Sequence, residues 1–322
     1  MPVYYDNTRI SSYRECPRAF FFRHIKMWSP DGTAIALVNG LAWHDAMDIV
    51  WKGISEGKMS QDEVYKTALA AYVTSWIEGG YPAPEHMSME DIERFYPRGP
   101  AVAAEVLMNY ILQRSAFIKD GELIDVEKPF AVPLYDHTNK VIYIGRLDKV
   151  FNSRPDGLRV IEHKSTSMYG IKTGFQPRYI DSFSPNSQVD GYTHAAHMLY
   201  DSLRGIYVDV ALFHKKVHDK FKFIPIDRSV ELLEGWLHDT RNWVERIEAD
   251  KAAYKEGGLL ASFPKNTSAC GNWSGCVYLD ICRYKADPDI DEVPPGFVRN
   301  EWNPFDVNKI EKLGLLPEEK KS

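Results

Sequence analysis

Glu162 and Lys164 stand two residues apart in LRVIEHKS, a run rich in β-branched residues. In a strand successive side chains take opposite faces, so Glu162 and Lys164 share one face while Ile161 and His163 take the other. The preceding run, KVIYIGRLDKVFN, carries Asp148, and Arg154-Pro-Asp-Gly157 between the two is a tight turn. That hairpin can bring Asp148 beside Glu162 without any long-range assumption. Two carboxylates and an ammonium then converge. Hard oxygen donors of this kind suit Mg²⁺ or Mn²⁺, and such an ion polarises a phosphodiester and lowers the pKa of a bound water. Lys164 would orient or activate that water. An acid and a lysine at alternate positions also describe an ordinary solvent-facing strand. The pair therefore acquires meaning only from its company.

That company lies on two helical segments. In GLAWHDAMDIVWKGI, Trp43, Met47, Val50 and Ile54 recur at helical spacing as a core-facing stripe, and His44 borders it. Gln188 and Tyr192 are four residues apart in a second helical segment and so share one face. Taken singly, His44 reads as a satisfied histidine at the edge of a core, and Tyr192 as a packing residue.

In order, Gly40-x-x-x-His44, Gly145-Arg-Leu-Asp148, Glu162-His-Lys164 and Gln188-x-x-x-Tyr192 form a series over nearly the whole chain. It resembles the RecB-like branch of the PD-(D/E)XK nucleases, including the CRISPR-associated iron–sulfur exonucleases and AddB-type nuclease domains. The resemblance implies a restriction-endonuclease-like α/β fold with a mixed central sheet flanked by helices. It implies that His44, Asp148, Glu162 and the backbone carbonyl of His163 bind the metal. Lys164 becomes the catalytic base or water-orienting group, and Gln188 and Tyr192 hold the substrate backbone or brace Lys164. The implied activity is DNA hydrolysis, as an exonuclease on single strands or ends in repair, recombination, phage DNA processing or CRISPR spacer capture. A restriction-like endonuclease is a close variant. A reading from another class is a non-catalytic DNA-binding or scaffold subunit of a helicase–nuclease or integration complex, against which the complete acid, acid and lysine set argues. No G-x-x-x-x-G-K-[ST] loop occurs, so unwinding would belong to a separate helicase or recombination protein.

The chain has four cysteines, Cys16 near the start and Cys270, Cys276 and Cys282 near the end. They make a complete ligand set for a cubane cluster. Paired disulfides are disfavoured in an intracellular chain. Zinc competes, although structural zinc sites space paired ligands by about two to four residues, whereas both C-terminal gaps here hold five. The relatives hold a [4Fe-4S] cluster that staples the N-terminal helix to the C-terminal end, and Phe263-Pro-Lys-Asn266 resembles their lead-in. They place two residues in the first of these gaps, so the longer GNWSG implies a bulged loop. Free buried cysteines are the plain alternative. Closing so long a loop is worth about 5 kcal/mol by analogy with a disulfide, which makes the cluster structural.

The elements that must position these residues follow from periodicity. Ser12-Tyr-Arg-Glu15 reads as a capping box opening a helix through AFFFRHI, with Cys16 in its first turn and Pro17 near it. Helices are expected from Gly40, over Asp62 to Glu78, after a loop GGYPAPEHMSMED from about Pro100 to Lys119, from about Asn186 to Leu203, and from Ser229 to about Glu256. Strands are expected in LIDVEKPFAVPLY, KVIYIGRLDKVFN, LRVIEHKS, GIYVDVALFHKK and KFKFIPI. The organisation reads as residues 1–120, mainly helical with Cys16 and His44; 121–257, the nuclease core of the resemblance; and 258–322, a cysteine-cluster segment with an irregular acidic tail.

At 322 residues and 44% hydrophobic content the chain can bury one large core. No run of about 18 apolar residues occurs, and MPVYYDNTRI is no leader, so the expectation is a cytoplasmic protein without membrane contact. The net charge of -6 offers no general attraction for DNA. Local patches do: KSTSMYGIKTGFQPRYI mixes Lys164, Lys172 and Arg178 with Tyr169, Phe175 and Tyr179, which suits single-stranded DNA, and Lys215, Lys216, Lys220 and Lys222 cluster on a hairpin. Either patch also reads as a solvated loop.

Overall fold

Alternating segments of the sequence are extended, and segments with an apolar residue every third or fourth position are helical. The structure, a computed structural model, describes residues 2–135, 140–272, 275–285 and 289–303. The chain begins with β1 (Val3–Tyr5), α1 (Asn7–Glu15), α2 (Pro17–Phe20), a π-helical turn (Phe21–Ile25) and β2 (Trp28–Pro30). Four helices follow: α3 (Ile35–Glu56), α4 (Gln61–Glu78), α5 (Met89–Phe95) and α6 (Pro100–Lys119). Then come β3 (Gly121–Pro133), β4 (Val141–Ser153), β5 (Gly157–Thr166), α7 (Pro177–Asp181), α8 (Ser187–Leu199), β6 (Leu203–Leu212) and β7 (Phe221–Ile226). The chain continues through α9 (Val230–Gly257), α10 (Leu279–Tyr284) and β8 (Phe297–Arg299). Packing groups it into two interleaved units, Met1–Asp31 with Phe130–Gly145 and Glu234–Ser322, and Gly32–Pro129 with Arg146–Leu233.

In the second unit β4, β5, β6 and β7 are successive neighbours, and β3 also pairs with β4. The β4–β5 and β6–β7 pairs are antiparallel and β5–β6 is parallel, which makes the sheet mixed. Helices α3, α4 and α6 pack their apolar stripes into one core with Phe151, Ile161, Ala211 and Phe213 of the sheet region. The stripe expected on α3 is found, with Trp43, Met47, Val50 and Ile54 buried. Helix α4 starts on a true capping box, in which Ser60 and Glu63 satisfy each other's backbone N–H groups.

Under that core lies a buried charge. Asp209 of β6 accepts from Arg114 at 2.9 Å and from the Tyr110 hydroxyl at 2.5 Å, and Trp51 Nε1 donates to that hydroxyl at 2.9 Å. Burial works against the Asp209 carboxylate, but the Arg114 guanidinium prevails and holds its pKa below the ordinary value.

The first unit is knit by aromatic rings. Phe22 stacks on Trp28 with centroids 5.5 Å apart, and Phe21 meets Phe263 at 5.4 Å. Buried Arg18 donates to the Phe263 carbonyl at 2.9 Å, and the Tyr278 hydroxyl donates to the Trp28 carbonyl at 2.6 Å. β1 lies parallel to the first residues of β4, and β2 pairs antiparallel with β8.

Several expectations need correction. The first helix is capped by Asp6, whose carboxylate accepts from Arg9 N, and not by Ser12. Pro17 then divides the segment, because it cannot donate to an existing helix but is suited to open a new one. Cys16 is thus the extended joint between α1 and α2. Helix α5 lies where part of a loop was expected, its Ser88–Asp91 capping box hidden among polar residues. Helix α8 ends at Leu199, and Leu203 already belongs to β6. The acidic tail is only partly irregular, since β8 pairs with β2 and Asp289 meets Lys26 at 2.5 Å. The bulge expected at GNWSG falls on Trp273 and Ser274, outside the described residues, as does the tail beyond Asn303.

Removing Asp209 would leave a buried guanidinium without its counter-ion. Asp209→Ala is expected to cost about 3–5 kcal/mol, read as a lower urea midpoint. A depressed carboxyl pKa stabilises the fold above the unfolded value of about 3.9 and ceases to do so below the folded one, so the gap between variant and wild type narrows in acid.

Candidate active site

The β4–β5 hairpin holds its last paired residues at Lys149 and Ile161. One step further along each strand stand Asp148 and Glu162, 7% and 2% exposed. The backbone N–H of His163 donates to Asp148 Oδ2 at 2.8 Å, which fixes that carboxylate against β5. As the strand period requires, the His163 ring turns away into the core.

On the site's face, Lys164 Nζ donates to Glu162 Oε1 at 2.6 Å and to Gln188 Oε1 at 3.3 Å. Gln188 Nε2 donates to the same Glu162 oxygen at 3.1 Å, closing a three-membered ring of contacts. Asn186 caps α8 by accepting from Gln188 N and Val189 N, so Gln188 is held in the first helical turn. Tyr192 follows one turn later. Burial raises its phenol pKa and Glu162 adds to the rise, while a hydrogen bond with Gln188 opposes it.

His44 arrives from α3, its Nδ1 3.2 Å from Asp148 Oδ2. One turn along α3, Asp48 pairs with Lys149, whose side chain is fully buried. Two adjacent strand residues thus engage two successive turns of one helix, which sets the register of α3 on β4. Burial favours neutral imidazole, but the Asp148 carboxylate outweighs it and raises the His44 pKa. Burial likewise opposes the Asp148 anion, and His44 with Lys149 brings its pKa well below the ordinary value. Glu162 is pushed the other way by burial and by Asp148, although Lys164 opposes both. Lys164 is held protonated by Glu162 and Asp148 against the effect of burial.

Glu127 is the residue that sequence reasoning missed. It sits in β3 with a left-handed φ of 53°, unusual for a side-chain-bearing residue. Its carboxylate, His44 and Asp148 offer ligand atoms all within 4.8 Å of one another. Burial lifts its pKa to about 7, with Asp48 and Asp148 contributing, against the pull of Arg146. Arg146 Nε contacts Glu127 Oε2 at 2.5 Å. Nothing in LIDVEKPF distinguishes this glutamate from its neighbours, since the backbone kink that aims it is invisible in the pattern.

Two oxygens test whether these residues fit a divalent ion. Glu127 Oε1 and Glu162 Oε2 are buried and have no hydrogen-bond partner, a costly state that a cation relieves. Glu127, Asp148 and the imidazole of His44 form a compact donor set of mostly hard oxygens that fits such an ion, and Glu162, outside that trio, adds negative charge beside Asp148.

The aromatic expectations divide. Phe175 is 2% exposed and fills the core, so it is not a base-stacking ring as expected; the chain after β5 turns inward there. Tyr169 stacks on His214 at 4.5 Å. Tyr179 is half-buried and hydrogen-bonds Thr166, close enough to Lys164 to feel its charge. Lys172, Arg178, Lys215 and Lys216 are exposed, while Lys220 pairs with Asp219 at 3.1 Å.

In the first unit Cys16, Cys270 and Cys276 line one cavity. Asn266 braces it, its N–H on Cys16 Sγ at 3.4 Å and its amide on the Glu15 carbonyl at 2.7 Å. Burial raises the thiols of Cys276 and Cys282, and Cys16 adds to both, so the four sulfurs are neighbours.

A sequence profile described as the PD-(D/E)XK nuclease superfamily matches residues 7–283. A crystal structure of a provisionally named exonuclease from Eubacterium rectale is 13% identical, with a TM-score of 0.41 over 80% of this chain and 82% of that one. No curated protein matches the sequence. Among the described residues no helix is long and apolar enough to cross a membrane. The profile spans the helices, the hairpin and the capped α8 that assemble the carboxylates, the lysine and the glutamine, and the chain belongs to the PD-(D/E)XK nuclease superfamily.

Proposed function

We propose that this protein is a Mg²⁺- or Mn²⁺-dependent deoxyribonuclease of the RecB-like kind, an exonuclease acting on single strands or DNA ends. One observation carries the reading: Glu162, almost without solvent and electrostatically coupled to Asp148, holds Lys164 with one oxygen and leaves the other unpartnered. Asp148, Glu162, His44 and the main chain of His163 would hold the ion, and Glu127 joins them. When bound, the ion supplies positive charge for the scissile phosphate and a more acidic water.

The chain's own groups do the rest. Lys164 carries a proton and is steered by Glu162 and Gln188, so it orients the attacking water or binds a phosphate oxygen. Gln188 fixes Lys164, and Tyr192, hydrogen-bonded to Gln188, braces it. A scaffold subunit would have no use for a lysine held protonated beside two buried carboxylates.

For the cysteines we propose a structural [4Fe-4S] cluster, with Zn²⁺ as the rival. Three thiols line one cavity and the fourth is their neighbour. The partners implied are DNA and a separate helicase or recombination protein in a cytoplasmic setting.

Purified protein is expected to degrade end-labelled DNA with Mn²⁺ or Mg²⁺ and to stop with chelator, and Lys164→Ala is expected to lower the rate at least about 100-fold. Equal degradation by the variant would sink the assignment. Below about 7 the Glu127 carboxyl carries a proton that a metal must displace, so Mn²⁺ affinity rises with pH through that value. Calorimetry should show Glu127→Gln weakening Mn²⁺ and flattening that rise. The as-purified protein should be brown, with iron and sulfide and an absorption near ~400 nm; a colourless protein with one zinc would reverse the cofactor reading.

A further inference from the structure

Helix α3 does more than deliver His44. Leu37, Leu41, His44 and Asp48 lie at intervals of four, three and four, so at about 100° per residue they fall on one narrow stripe. The lower half of that stripe engages β4 through Asp148 and Lys149. The upper half is open, with Leu37 54% and Leu41 52% exposed. At a rise of about 1.5 Å per residue they stand about 10.5 and 4.5 Å along the axis from His44.

A base step is about 3.4 Å, and Leu41 stands little more than that along the helix axis from His44, so a strand bound at Asp148 has the ledge within reach of its neighbouring nucleotides. The part of the strand that meets it is set by charge. Thr33 to Asp45 contains no lysine or arginine, and exposed Asp45 flanks the stripe, so phosphates are not drawn to it. The cations stand elsewhere, Lys164 on β5 and half-exposed Arg146 on β4. Phosphates turned to those cations leave bases for the leucines. A paired base buries its faces in the helical stack, whereas an unpaired base offers one to an apolar side chain.

We propose that Leu37 and Leu41 form an apolar ledge that receives the unpaired bases beside the scissile phosphate, and so make the site select single strands or frayed ends over intact duplex. This rests on the nuclease reading above. Both side chains are solvent-exposed, so changing them spares the core.

The test is fluorescence anisotropy on the full chain, with Ca²⁺ in place of Mg²⁺, using a short oligothymidylate, an abasic strand of the same length and a duplex. Wild type is expected to bind the oligothymidylate about tenfold tighter than the abasic strand. The double variant Leu37→Ser, Leu41→Ser should bind the two alike with an unchanged salt slope, and Leu37→Phe, Leu41→Phe should keep the preference. A serine variant that discriminates as well as wild type would overturn the proposal. So would one that binds DNA normally but runs at a smaller mass in size exclusion, because the ledge would then join two copies of the chain. Failure of the nuclease reading shows separately, as wild type that neither binds any strand nor cleaves with Mg²⁺.

Discussion

Two carboxylates taken out of water side by side are the central constraint of this molecule. Asp148 and Glu162 are each almost fully buried, and each makes the other harder to ionise. The surroundings answer unequally. Asp148 receives a backbone N–H and the His44 ring and stays ionised with ease, whereas Glu162 depends on Lys164 and Gln188. Neither set satisfies every oxygen, and that residual deficit is what makes the pocket a place for a cation.

The supporting elements can be understood as holding that deficit open. The hairpin fixes the two acids at adjacent positions, and the capped first turn of α8 fixes Gln188. The double engagement of α3 with β4 prevents His44 from sliding by a turn. Behind the sheet, Asp209 ties β6 to α6 through Arg114 and Tyr110, so the layer carrying the site rests on an anchored one.

Most of this framework was legible. The strand period put Glu162 and Lys164 on one face, and their hydrogen bond is found there; Pro100 to Lys119 forms one helix with the expected limits. What was illegible depends on backbone detail or distant partners. Glu127 owes its place to a single left-handed residue in a strand, which no composition marks. Phe175 looked like a surface ring because its neighbours are polar, yet its loop folds under. Ser12 lies inside α1, which Asp6 caps upstream, and Pro17 ends that helix and opens the next, so the single helix expected from Ser12 is two. The short pair of β2 and β8 joins residues too far apart in sequence for any local pattern to report.

Arg18 grips Phe263, and Tyr278 grips Trp28, across 245 and 250 positions of chain. On the ribosome Arg18 and Trp28 therefore emerge long before Phe263 and Tyr278, and the unit around Asp148 and Glu162 is synthesised in between. These contacts must wait for Phe263 and Tyr278, so their formation is a late event governed by long-range encounter.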